Sequence, residues 1–210
     1  MAIFSKEYNE PLYSAREYLD MEHEAETKSE YYDGRIVAMS GASWGHNIIN
    51  NNISRSLGNQ LEKKPCVATS SDLRVRVEKR NRYFYPDTVV ICGKPTFEPN
   101  SFDSLLNPLV IVEILSKSTS KRDRGDKWKA YQTLESLQAY LLVSQDTPRI
   151  SLFLRKEDGS WQNAVAIGLG SVLEIEPIGC TLCLEDVYRN VEFASDAETN
   201  ELSTTVGENP

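Results

Sequence analysis

The stretches YPDTVVI (85–91) and PLVIVEILS (108–116) set two carboxylates, Asp87 and Glu113, 26 residues apart, in or beside runs of apolar, β-branched residues. Short apolar runs of this kind, bounded by turn-forming residues, read as buried strands. An acid in such a strand is costly unless something pairs with it. Two acids on adjacent strands would repel each other unless a cation sits between them. A metal-binding carboxylate pair is therefore the first expectation.

Working outward, 67–77 (VATSSDLRVRV) alternates at Leu73, Val75 and Val77, and 83–92 and 109–115 are the two acidic strands. The Pro-, Asn- and Ser-rich stretch 93–108 reads as a loop. Upstream, Ser14 with Glu17 three residues later is a capping-box pattern that predicts a short helix. Asp33-Gly34 predicts the turn of a hairpin. Ile49, Ile53, Leu57 and Leu61 recur every fourth residue and predict an amphipathic helix over 46–63, stopped by Pro65. Downstream come a helix over 122–134, a strand at 139–144, and a hairpin of 150–155 with 161–167 about Asp158-Gly159. A strand at 172–176 and a closing segment at 180–190 complete the order. The expected fold is α/β: a mixed sheet in the order α-β-β-β-α-β, flanked by helices, with hairpins added before and after. Residues 1–191 are expected to be one domain, and the acidic, polar 192–210 a disordered tail.

The net charge of −8 is concentrated at the ends. Residues 1–30 and 191–210 are each −5, which leaves 31–190 at +2. Within that middle, Arg74, Arg76, Lys79, Arg80 and Arg82 precede the first acidic strand. Lys117, Lys121, Arg122, Arg124, Lys127 and Lys129 follow the second. Basic clusters beside a carboxylate pair suit a polyanion, although from composition alone solvated surface charge is the favoured explanation. No segment approaches the roughly 20 apolar residues of a membrane span. The start, MAIFSKEYNEPLYS, lacks a cationic region followed by an apolar block. A cytoplasmic protein with no membrane partner is expected. Cys66, Cys92, Cys180 and Cys183 suggest no disulfide framework, and Cys180-Thr-Leu-Cys183 lacks the paired partners of a zinc site. A Gly-x-Ser-x-Gly elbow and a glycine-rich nucleotide loop are both missing.

Together these residues resemble the PD-(D/E)XK nuclease superfamily, and within it the Uma-two branch of restriction endonucleases. The resemblance spans about 12–190 and rests on SEYYDGRIVAMSGAS, His46 at the head of a helix, YPDTVV, and VEILSKSTSKRDRGDKWKAY. Glu113, Ser116, Ser118, Thr119, Asp123, Lys127 and Tyr131 fall where that branch's motif puts them. The resemblance implies a DNA endonuclease using Mg²⁺ or Mn²⁺, with Asp87, Glu113 and Lys127 catalytic and Asp87, Glu113 and Glu30 on the metal. His46, Ser116 and Tyr131 become candidates for phosphate or site contacts. One departure matters: the superfamily's lysine stands two residues after the second acid, and here that residue is Leu115. The resemblance moves the role to Lys127, and Asp123, Lys127 and Tyr131 at spacings of four share a helix face. The bland alternative for Asp123 and Lys127 is a surface ion pair worth about 0.3–0.5 kcal/mol. A nuclease-fold binding module without chemistry is the alternative for the whole chain. Cutting both strands of a duplex requires two sites, so a symmetric homodimer is expected.

Overall fold

Ser14 and Glu17 cap the first helix as the sequence predicts. The Ser14 hydroxyl accepts from the Glu17 N–H, and the Glu17 carboxylate accepts from the Ser14 N–H, at the head of α1 (Ala15–Glu24). The computed structural model describes residues 11–70, 72–99, 101, 103–116 and 120–193. Lys117, Ser118 and Thr119, and the tail from 194, lie outside them. Asp33 and Gly34, with φ of 48° and 102°, turn β1 (Ser29–Tyr32) into β2 (Arg35–Ala38). Positive φ at both central residues suits the twist of a two-residue hairpin.

Helix α2 (Trp44–Leu61) starts two residues earlier than expected, because the Ser43 hydroxyl caps it by accepting from the His46 N–H. The chain then forms β3 (Cys66–Ser70), β4 (Arg74–Val77), β5 (Arg82–Phe84), β6 (Thr88–Cys92), β7 (Ser104–Leu105) and β8 (Val110–Leu115). Short α3 (Ser120–Arg122) runs into a π-helical segment (Asp123–Lys127) and α4 (Trp128–Tyr131). Strands β9 (Ala139–Ser144), β10 (Arg149–Arg155), β11 (Trp161–Ile167), β12 (Val172–Ile175) and β13 (Cys180–Cys183) and helix α5 (Leu184–Val187) follow.

The single expected sheet is two mixed sheets. One has the order β2-β1-β5-β4-β7 and the other β11-β10-β9-β8-β6-β3, beside a small β12-β13 pair. Each of the first two expected strands is broken in half and shared between the sheets. β3 ends at Ser70 and β4 begins at Arg74, and Tyr85-Pro86-Asp87 separates β5 from β6. Pro86 has no N–H to give a ladder, so the strand cannot run through it. The expected loop 93–108 contributes β7, which pairs parallel with β4. Flanking helices and mixed sheets agree with the α/β expectation.

Strand β8 is fully buried and divides the core. Val110, Val112 and Ile114 face Ile49, Ile53, Leu57 and Leu61 of α2. Ile111 and Leu115 face Val89, Ala130, Tyr131 and Tyr140. Period-two alternation therefore sends Glu113 toward the second face, where α4 packs. Fully burying each of the four α2 side chains contributes about 1.5–3 kcal/mol. Cys66 and Cys92 stand directly opposite on β3 and β6 and form a disulfide, which corrects the expectation that the cysteines are free. Strand register brings the two together, and lone cysteines 26 residues apart carry no sign of it. Cys180 is a buried free thiol packed in the core with α2, as a small apolar residue would be.

Candidate active site

Strand register brings Asp87 and Glu113 together. Thr88 pairs with Val112 and Val89 with Ile111. One step further along that ladder, Asp87 stands opposite Glu113. Asp87 sits where the chain leaves one sheet for the other. Its Oδ2 accepts the Ile114 N–H at 2.7 Å, and its Oδ1 lies 2.9 Å from His46 Nε2 at the head of α2. His46 thus meets Asp87, and both side chains keep some exposure.

Glu113 meets the helix that follows β8. Lys127 Nζ donates to Glu113 Oε1 at 3.1 Å, and the Tyr131 hydroxyl donates to the same oxygen at 2.9 Å. The same ammonium lies 2.7 Å from Glu30 Oε1 and 3.5 Å from Asp123 Oδ1. Glu30, Glu113, Asp123 and Lys127 are 3%, 4%, 1% and 5% exposed, so this is a buried ion cluster. The surface ion pair considered for Asp123 and Lys127 is corrected accordingly: the π-helical turn and α4 press that face against β8 and β9. Leu115 is a core residue.

Two features escaped the sequence. The Tyr32 hydroxyl donates to Glu30 Oε2 at 2.6 Å, two residues along the same strand. Period-two spacing from Glu30 was the available signal. The guanidinium groups of Arg82 and Arg122 each lie 5.4 Å from the Tyr32 ring, and Arg122 Nη1 is 4.0 Å from Glu30 Oε2. Ser116 directly follows β8. With Leu115, Ser120, Arg124, Ser144 and Asp146 it lines a cavity of about 330 Å³ at the ends of the parallel strands β8 and β9.

Burial pushes the Glu113 carboxyl well above the usual carboxylate range; Lys127 opposes the shift, while Asp123, Asp87 and Glu30 add to it. Burial alone would lower the Lys127 pKa, but Glu113, Glu30 and Asp123 outweigh it and hold the ammonium well above its ordinary value. Burial, reinforced by Glu30, keeps the Tyr32 phenol protonated and therefore a donor. Burial and Glu113 do the same for Tyr131.

The donor set suits a hard divalent cation, which prefers carboxylate oxygens. Glu30 Oε1 is buried and, among the described residues, has an ionic contact with Lys127 but no well-directed hydrogen bond. As the side chains stand, no three or more His, Cys, Asp or Glu among the described residues converge as a metal-ligand set. Among the described residues no helix is long and apolar enough to cross a membrane.

The family model described as "Putative restriction endonuclease", Uma2, matches residues 15–184. Two uncharacterized proteins of Synechocystis sp. (strain ATCC 27184 / PCC 6803 / Kazusa) are similar. One is 34% identical over 183 residues, covering 87% of this chain and 95% of the relative. The other is 35% identical over 161 residues, covering 77% and 91%. The crystal structure of a "putative nuclease belonging to DUF820" from Anabaena variabilis ATCC 29413 superimposes with a TM-score of 0.69 at 17% identity. It covers 84% of this chain and 97% of the solved one, which supports the shared fold. The match of the family model over most of the chain, together with these relatives, shows that the protein belongs to the Uma2 family, whose description is "Putative restriction endonuclease".

Proposed function

We propose that the protein is a metal-dependent endonuclease of the PD-(D/E)XK type that hydrolyses DNA phosphodiester bonds. The observation that carries this reading is the buried Lys127 ammonium, 2.7 Å from Glu30 and 3.1 Å from Glu113, with Asp87 across the ladder. Asp87, Glu113 and Glu30 would hold Mg²⁺ or Mn²⁺. The cation supplies a lowered water pKa and charge neutralisation at the phosphate. Ile114 N–H and His46 fix the Asp87 carboxylate, much as outer-sphere hydrogen bonds fix metal ligands generally. Lys127 orients the attacking water or stabilises charge developing on the phosphoryl oxygens. Tyr131 fixes Glu113, and Tyr32 fixes Glu30. The substrate is cytoplasmic DNA, and a symmetric homodimer supplies the second site for duplex cleavage.

A second reading, a nuclease-fold binding module, is favoured by one observation: the ion cluster is closed, with its charged groups 1–5% exposed. Cleavage of single-stranded, duplex and branched DNA with Mg²⁺ or Mn²⁺ separates the two. The nuclease reading expects cutting by the wild type and none by Asp87→Ala or Lys127→Ala. Cutting that persists in purified Asp87→Ala overturns it. DNA binding indifferent to Mg²⁺, with no cleavage of any substrate, supports the binding module.

A further inference from the structure

Lys127 is a cation already seated among the carboxylates that the nuclease reading assigns to a metal. Its Nζ takes Glu30 Oε1 at 2.7 Å and Glu113 Oε1 at 3.1 Å. Mg²⁺ requires oxygens at about 2.0–2.1 Å in near-octahedral array. An oxygen directed at the ammonium is not also free to enter that shell at full strength. The ammonium and the divalent cation therefore compete for the same two carboxylates. At a separation of a few ångströms their like charges also repel strongly in a poorly solvated site.

A displaced ammonium needs a counter-charge, because a lysine left unpaired in the interior is strongly destabilising. Asp123 provides it. Its Oδ1 is 3.5 Å from Nζ, and the residue is 1% exposed. It lies at the start of the π-helical segment that ends at Lys127. π-helical turns inside α-helices are rare and occur often at functional sites. Here the Tyr140 hydroxyl donates to the Asp123 carbonyl at 3.1 Å and ties the start of the segment to β9. Asp123 is thus placed by the fold, on the lysine's own helix, and its position does not depend on the two carboxylates a metal would take.

We infer that Asp123 is a positioning residue that retains the Lys127 ammonium in the site when a divalent cation takes Glu30 and Glu113. Lys127 then acts as a built-in competitor of the metal, and Asp123 sets how readily it yields. This rests on the metal assignment of the nuclease reading. It also accounts for the lack of a converged ligand set among the described residues.

The test uses Mn²⁺ alone as the probe, without DNA, titrated by electron paramagnetic resonance and calorimetry into the full-length protein. Circular dichroism checks that each variant is folded. Lys127→Met, of similar length and uncharged, should bind Mn²⁺ roughly tenfold more tightly than wild type, a size typical of coupling between sites. Asp123→Asn should bind it several-fold more weakly, since the ammonium then has no alternative to Glu30 and Glu113. In the double variant Asp123→Asn/Lys127→Met the residue at 123 should no longer matter, as a double-mutant cycle requires when one residue acts through the other. A merely structural Asp123 would weaken binding equally in both backgrounds, and that result overturns the inference. Unchanged or weaker binding by Lys127→Met overturns it independently, even if Asp123→Asn fails to fold. Equal Mn²⁺ affinity in all proteins sinks the competition and leaves the nuclease reading standing. No Mn²⁺ binding in any of them sinks the metal assignment itself.

Discussion

Removing the Lys127 charge should destabilise the protein in a pH-dependent way. One ammonium serves three carboxylates, at 2.7, 3.1 and 3.5 Å, in a cluster whose members are all at most 5% exposed. Deleting one partner of a buried ion pair costs about 3–5 kcal/mol. Lys127→Met keeps a side chain of similar length but loses the ammonium, which also lies 5.6 Å from the Phe84 ring centroid, and leaves Glu30, Glu113 and Asp123 uncompensated, so the upper part of that range is expected at pH 8. Protonation limits the cost. Glu113 is already raised by burial, with Lys127 holding it down, and loss of the lysine raises it further. A carboxyl whose folded pKa lies above its unfolded value binds more protons folded than unfolded between the two values. Stability then falls as pH rises through that window. In wild type the raised Lys127 pKa contributes stability that is fully present below the ordinary lysine value and is lost only above it. The difference between the two proteins should therefore be small near pH 5 and grow toward pH 8. Urea unfolding at pH 5, 6, 7 and 8, followed by tryptophan fluorescence, measures it. A difference below about 1 kcal/mol at pH 8, or one independent of pH, refutes the shared buried ammonium, since exposed pairs contribute only that much.

Ile53→Ala empties a fully buried position between α2 and β8 and should cost about 2–5 kcal/mol in the same urea assay. His46→Ala frees Asp87 Oδ1 and should lower Mn²⁺ affinity or cleavage rate roughly 10–100-fold, as loss of an outer-sphere partner does elsewhere. Thiol titration of unreduced, denatured protein should find the Cys66 and Cys92 thiols blocked and Cys180 and Cys183 reactive. Reducing that bond should cost about 3.5 kcal/mol, the chain-entropy value for a loop of this length, read as a shift in the urea midpoint.

The core strand β8 was legible as a short continuous apolar run, the helix α2 from its apolar stripe at every fourth residue, and both hairpins from their Asp-Gly turns. Ile49, Ile53, Leu57 and Leu61 all face inward, and Val110 to Leu115 are all buried. The two-sheet arrangement was hidden by runs that keep a strand pattern across a break. The alternation of Leu73, Val75 and Val77 made 67–77 read as one strand, yet the Asp72 N–H donates to the Ser70 carbonyl and β3 and β4 join different sheets. Pro86 was the better clue, since a residue without an N–H interrupts a central strand. The pairing of Glu113 with Lys127 came from the family resemblance, helix spacing adding only that Asp123, Lys127 and Tyr131 share a face, and the structure brings Lys127 to Glu30 as well. The burial of Asp123 was not approachable, because a pair spaced by four looks the same on a solvated helix and in a packed one. Tyr32 and Arg122 needed the three-dimensional meeting of β1 with the helix after β8.

The site spans the seam between the two sheets. Glu30 belongs to the sheet built on the hairpin β1–β2, whereas Glu113 belongs to the one packed on α2, and Lys127 grips both. The ammonium is in that sense a rivet, and the seating of one sheet on the other is encoded in its two contacts. A substitution far out on the hairpin that tilts β1 by a fraction of an ångström would loosen the rivet without touching any charged residue of the cluster. Substitution in that hairpin is thus a means of adjusting the centre from outside, with its charged side chains left in place.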